Sequence, residues 1–266
     1  MTTPTEPIDT TTPSVARAYD FMLGGKDNFE SDRQFAKSIV EKDPELSVSI
    51  KLNKEFGRRV TDYIVRQGVT QFLDLGSGIP TSPPSVHDTA RKIEPGARVV
   101  YVDNDAAVAA HNRALRATSP GLATLEADLN DPEAVFNSEI VQAELDLSKP
   151  VAVLLLSVLQ TTVDEAEAKA LIGDIRSRLA PGSYLAISHV SDRSAPHVKE
   201  AIAQAITKYN YPPSKLRTDA EVEALFEGFT LVEPGVTDYQ MWHAEPGFQA
   251  RDLNTQFVGA LGRLTV

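Results

Sequence analysis

The chain has 266 residues, 42% hydrophobic and 24% charged, a balance that excludes disorder throughout and fits one sizeable α/β domain or two small ones. Its formal net charge of −11 argues against a general nucleic-acid binder, which needs clustered Lys and Arg to neutralise phosphates. The lack of cysteine removes disulfides, thiolate metal sites and a thiol nucleophile, and suits a reducing cytoplasm.

The N-terminal stretch MTTPTEPIDTTTP has neither a basic segment nor an apolar core, so it does not read as a signal peptide, and residues 1–13 are expected to be a disordered lead-in. The longest apolar run, from Val151 to just beyond Leu156, is far short of the ~20 residues that span a bilayer. The chain is therefore expected to be cytoplasmic, with no membrane partner. Residues 14–68 read as helices forming a cap or lid: SVARAYDFML stops at Gly24-Gly25, and NKEFGRRVTDYIVRQG carries apolar residues at helical spacing. From residue 69 to 266 the pattern changes to a second, larger unit. Apolar strands QFLDL, ARVVYVD, ATLEA, VAVLLLS and SYLAISHV alternate with helices beginning near Ser85, Ala106, Pro132, Asp164 and Ala195, which predicts a doubly wound parallel α/β sheet. FTLVEP and TDYQMWH are separated only by a proline-glycine turn, too short for a crossover, so the sheet is expected to finish in an antiparallel hairpin.

In such a sheet the ligand sits beyond the carboxyl ends of the strands. There the first strand ends in DLGSGIP, whose glycines admit a ligand close to the backbone. A bare G-x-G also serves as a structural turn. Asp74, just before the glycines, would repel a pyrophosphate and favour an ammonium or sulfonium group, which disfavours NAD. Asp103, ending the second strand in YVDND, stands where an acidic side chain accepts ribose hydroxyls; its plain alternative is a solvated turn residue. Asp128, after the third strand in EADLND, is suited to an exocyclic amine with the Leu129 amide against the ring; its alternative is a helix N-cap, although Asp131 before Pro132 is the better cap. Carboxylates matched in order to ammonium, ribose and adenine describe S-adenosylmethionine.

The series DLGSGIP, YVDND and EADLND looks like the first three motifs of class I methyltransferases. Nearly the whole chain, from SVARAYDFMLGGKDNFESDR through QFLDLGSGIPTS, PVAVLLLSVL and APGSYLAISH to VEPG, resembles a bacterial S-adenosyl methyltransferase family long catalogued as a domain of unknown function. The resemblance implies a Rossmann-like methyltransferase sheet, S-adenosylmethionine as cofactor, and Asp74, Gly76, Gly78, Asp103 and Asp128 as cofactor residues. Ser77, Asn104, Leu129, Ser157, Tyr19 and Gly25 are expected to join them. Pro80 replaces the third glycine of the general pattern, and Gln160 stands where the family usually has a histidine after the fourth strand.

Gly24-Gly25 in YDFMLGGKDNF reads either as a helix C-cap or as the hinge of a segment that folds over the cofactor, with Tyr19, Lys26 and Asn28 facing the pocket. The first candidate for a base is His189, at the catalytic end of the fifth strand; it also reads as a hydrogen-bonded structural histidine. His243 lies in an aromatic cluster with Trp242 and Tyr239, and His87, His111 and His197 fall on predicted helices. Carboxylates are too few after strands four and five for a catalytic metal, so none is expected. The reaction expected is methyl transfer to oxygen or nitrogen of a small molecule; a non-catalytic binder of S-adenosylmethionine or S-adenosylhomocysteine is the alternative.

Overall fold

In a computed structural model, described for residues 8–80 and 84–265, the first three elements are helices: α1 (Val15–Met22), α2 (Glu30–Val40) and α3 (Leu46–Arg66). β1 (Gln71–Leu75), α4 (Val86–Arg91), β2 (Arg98–Asp103), α5 (Ala106–Leu115) and β3 (Leu122–Glu126) follow in strict alternation. After α6 (Pro132–Phe136) and α7 (Glu139–Glu144) come β4 (Ala152–Leu156), a 3-10 turn at Leu159–Thr161, α8 (Glu165–Ser177), β5 (Tyr184–Val190) and α9 (Pro196–Lys208). The chain closes with α10 (Asp219–Ala224), β6 (Thr230–Leu231), β7 (Thr237–Asp238) and β8 (Phe257–Arg263).

Helix starts fall where the caps require. Ser85 and Asp88 form a capping box on α4, Asp164 accepts from the Ala166 and Glu167 amides, and Asp131 accepts from the Ala134 amide beside Pro132 at the first helical position. Asp128 is thus not the cap of α6.

The sheet runs β3-β2-β1-β4-β5-β8-β6, with β7 also on β8. β3, β2, β1, β4 and β5 are parallel, and β8 lies antiparallel to β5, β6 and β7. The strand order reverses between β1 and β4, which opens the crevice above their ends. The antiparallel finish is present, but its central strand is Phe257–Arg263 rather than a pairing of FTLVEP with TDYQMWH, most of which turns after Asp238. FVGALGR hides its strand character in two glycines. A Cβ at Gly259 would lie 2.6 Å from the Phe56 ring, and one at Gly262 would lie 2.7 Å from Phe226. Close packing of those rings onto the strand demands glycine.

Alternation along the strands sorts the core. Leu73, Leu75, Val100, Val102, Val153 and Leu155 pack with Leu171, Ile172 and Ile175 of α8. Phe72, Val99, Tyr101, Ala152 and Leu154 pack with Phe56, Val60 and Ile64 of α3. α3 therefore covers the sheet on the face that carries Asp74 and Asp103, because both share the pleat of Phe72 and Tyr101. A smaller core joins Phe35, Ala36 and Ile39 of α2 to Ile50, Ala205 and Tyr211, and Tyr211 stacks on Phe35 at 4.5 Å.

Residues 1–7 of the expected disordered lead-in lie outside the described residues. Ile8–Pro13 are tied down by Arg17, whose Nη2 donates to Asp9 O (3.1 Å) and Thr12 O (2.8 Å).

Candidate functional site

A cavity of about 820 Å³ opens above the carboxyl ends of β1, β2, β3 and β4 and is walled by α1, α3 and Ile8–Ser14. That lies toward the upper end of the ~300–1,000 Å³ usual for ligand sites. Tyr19, Asp74, Gly76, Ser77, Gly78, Asp103, Asn104, Asp128, Leu129 and Ser157 all line it. Gly25 and His189 do not.

Asp74 is 7% exposed, and its carboxylate makes no hydrogen bond among the described residues. Burial pushes it up to about 6, against the pull of the Arg116 guanidinium and with a smaller push from Asp103. The Gly76 and Ser77 amides both donate to Val102 O, at 2.8 and 3.0 Å. Gly76 and Gly78 sit at φ +72° and +63°; a Cβ on Gly76 would strike Val158 Cγ1 at 2.4 Å, whereas one on Gly78 would meet open space. Asp103 accepts from the Gly78 amide at 2.9 Å through Oδ2 and from the Asp105 amide at 3.1 Å through Oδ1. Burial raises its pKa while those two bonds oppose the shift.

Two residues of the α5 region that the motifs did not reveal hold the glycine turn. Asn112 Nδ2 donates to Ser77 Oγ (2.9 Å), and Arg116 Nη1 donates to the Ser77 and Gly78 carbonyls (both 3.2 Å) and to Asn112 Oδ1 (2.9 Å). The Arg116 guanidinium lies 4.5 Å from the Tyr101 ring centroid. Asp128 and Asn104 are exposed at the rim, where Asp128 Oδ1 accepts from both the amide and Nδ2 of Asn130 at 2.9 Å.

α1 closes the opposite side. The Tyr19 hydroxyl and Ser157 Oγ are 2.9 Å apart, burial pushes the phenol up to about 12, and Ser157 adopts φ +59°, a strained conformation for a non-glycine residue. Arg17, 4% exposed, joins Asp32 (2.9 Å) to Asp105 (2.8 Å), the N-cap of α5. Gly24 at φ +83° terminates α1, and the Gly25 amide donates to Asp20 O at 2.8 Å, so the pair is a helix C-cap. A Cβ on Gly25 would lie 1.9 Å from Asp20 Oδ1. Asn28 turns its Nδ2 to Asp20 Oδ2 (2.7 Å), and neither Asn28 nor Lys26 lines the cavity.

His189 is fully buried behind the site. Its Nδ1 donates to Val190 O at 2.8 Å, and its Nε2 accepts from Arg217 Nη1 at 2.7 Å. Those contacts fix the neutral tautomer and occupy its lone pair, and burial pushes it down to about 4. It is the structural histidine of the two readings, not a base. His243 lies stacked on Trp242 at 4.3 Å, also away from the cavity. α3 contributes Asn53, Lys54, Gly57, Arg58 and Thr61 to the wall. The polar stripe Ser49, Asn53, Gly57, Thr61 at four-residue spacing within an apolar helix was the available signal.

The residues present fit S-adenosylmethionine: an unpartnered buried carboxylate suits a cation, and a glycine turn with room over Gly78 adjoins a strand-end carboxylate. A parallel sheet reversing at β1 and β4, finished by antiparallel β8 and with this crevice at the reversal, is a Rossmann-like ligand-binding fold, and the family match makes it that of a class I S-adenosylmethionine-dependent methyltransferase. Residues 1–265 match the S-adenosyl methyltransferase family, and the chain belongs to that family. It is similar to a protein from Thermobifida fusca YX provisionally designated a methyltransferase, at 36% identity and a TM-score of 0.90 over 99% of both chains. It is equally similar to a DUF574 family protein from Streptomyces avermitilis MA-4680, at 35% identity and a TM-score of 0.90, covering 97% of this chain and 99% of the other. No curated protein matches the sequence. Among the described residues no helix is long and apolar enough to cross a membrane.

Proposed function

We propose that the protein methylates oxygen or nitrogen of a small molecule held in the same cavity as its cofactor. When bound, S-adenosylmethionine supplies an electrophilic methyl group on a sulfonium sulfur. In this reading the Asp74 carboxylate neutralises the cofactor's cationic amino acid end, Asp103 receives the ribose hydroxyls, and Asp128 with the Leu129 amide receives the adenine. Gly76, Ser77 and Gly78 supply the close backbone, Asn104 flanks the ribose, and Ser157 with Tyr19 borders the reacting end. The observation that carries the reading is the unpaired, buried Asp74 carboxylate, which nothing in the described fold neutralises by hydrogen bonding.

The chain's own contribution is alignment and exclusion of water under α1 and α3. No histidine is among the described residues lining the cavity. Lys54 is the wall's candidate to take a proton, because burial, reinforced by Arg116, pushes it down to about 8. The absence of a histidine base also favours the second reading, a non-catalytic binder of the same cofactor.

Calorimetric titration with S-adenosylmethionine, S-adenosylhomocysteine and NAD tests the reading. Saturable binding of the first two alone is expected; failure of both adenosyl ligands to bind would remove it. S-adenosylhomocysteine release on incubation with hydroxyl and amine compounds separates enzyme from binder.

A further inference from the structure

The 3-10 turn after β4 rests on a buried cluster. Arg217, 0% exposed, donates from Nε to Glu165 Oε1 (2.9 Å), from Nη1 to Leu159 O (2.9 Å) and His189 Nε2 (2.7 Å), and from Nη2 to Thr162 O (2.6 Å). The carbonyls on both sides of Gln160 are thereby fixed. Gln160 itself is pinned: its carbonyl accepts from the Lys215 amide at 2.8 Å, and its Nε2 donates to Ser157 O at 2.7 Å. Its Oε1, by contrast, is buried and has no partner, although the residue lines the cavity.

α3 brings a second such group to the same end of the sheet. Gly57 lets the helix descend onto the tip of β4, where a Cβ would lie 2.8 Å from Leu156 Cδ1. Asn53, one helical turn earlier on that face, lines the cavity at 4% exposure with its Oδ1 also buried and unpartnered. A buried carbonyl left unpaired costs about 1–3 kcal/mol, and two in one cavity wall call for donors.

We propose that Asn53 and Gln160 form the polar wall of the methyl-acceptor subsite, and that the acceptor is a small molecule presenting hydroxyl or amine hydrogens to their amide oxygens. This rests on the methyl-transfer reading above. Such a wall selects donor-bearing molecules strongly, because an analogue without the donor leaves the oxygens unpaired. Methylation deletes one O–H or N–H, so the product loses a contact that the substrate made, and the same wall favours its release.

The test uses the full chain saturated with S-adenosylhomocysteine, probed at millimolar concentration and neutral pH with two matched pairs of uncharged molecules, phenol against anisole and aniline against N,N-dimethylaniline. The donor-bearing member of each pair is expected to bind about tenfold more tightly, as one net hydrogen bond to a buried group allows. In Gln160→Leu and Asn53→Leu that preference should collapse while S-adenosylhomocysteine still binds; melting temperature should be equal or higher in Asn53→Leu, which removes an orphaned oxygen, and lower in Gln160→Leu, which also loses the bond to Ser157 O. Equal affinities within each pair in the unaltered protein, no binding of any probe, or a preference that survives both substitutions would overturn the subsite while leaving the cofactor reading intact. Failure of S-adenosylhomocysteine to bind the unaltered protein would instead overturn the cofactor reading, and the subsite with it.

Discussion

On the β1–β3 side of the cavity, the polar groups stand at the ends of successive strands and are braced by contacts between neighbouring strand–helix units, such as Gly78 N–H to Asp103 and Arg116 to the Ser77 carbonyl. On the α3 and β4 side, Asn53, Tyr19, Ser157 and Gln160 come from segments more than a hundred residues apart in places, and Gln160 sits in a turn whose Leu159 and Thr162 carbonyls are held by Arg217 from beyond the wall. The first side is a set of carboxylates. The second is a pair of amides with unpaired oxygens beside a pair of hydroxyls bonded to each other. In the proposed reading, charge recognises the constant ligand of a methyltransferase, whereas neutral hydrogen-bonding groups at the acceptor end allow selection among acceptors.

The contrast can be broken from beneath. Arg217→Met strands the Leu159 and Thr162 carbonyls and leaves Glu165 without one of its partners, so stability should fall by roughly 3 kcal/mol or more, as expected for breaking a buried charged cluster. Denaturant unfolding measures it; a loss below the scatter of surface substitutions would show that the turn does not depend on the cluster. On the carboxylate side, Asp103→Ala should cost about 3 kcal/mol of cofactor affinity, about 100-fold, through two charge-assisted ribose bonds. Unchanged calorimetric binding would put the ribose elsewhere.

The pH dependence sharpens the comparison further. With Asp74 titrating at about 6 in the free protein, an ammonium partner favours its ionised form. Affinity for S-adenosylhomocysteine should therefore be full above that value and decline as pH falls through it, by up to about tenfold per unit. Asp74→Asn should weaken binding and flatten this limb; a limb that persists would belong to another group. The smallest effect is expected for Tyr19→Phe, which removes the phenolic contact with Ser157 and should weaken cofactor binding only a few-fold, at about 1 kcal/mol or less. A change above tenfold would make that hydroxyl a direct ligand.

The sequence alone determined the parallel strands, nearly every helix start among them, and the carboxylate end of the cavity. These are local: strand alternation, capping residues and a glycine turn lie within a few positions of what they specify, and a strand end is also a site position in a doubly wound sheet. β8 was not legible, because Gly259 and Gly262 weaken its strand pattern for the sake of Phe56 and Phe226, which meet it only after folding. His189 shows the same limit on the functional side. Its place at the end of β5 suits a base, but its protonation and its free lone pair are decided by Arg217, 28 residues later. Likewise α3 reads as an ordinary amphipathic helix until Gly57 seats it on Leu156 and carries Asn53 to the cavity. Only tertiary structure decides whether a buried polar atom finds a partner, because partners are matched across distance in the chain while propensities act along it.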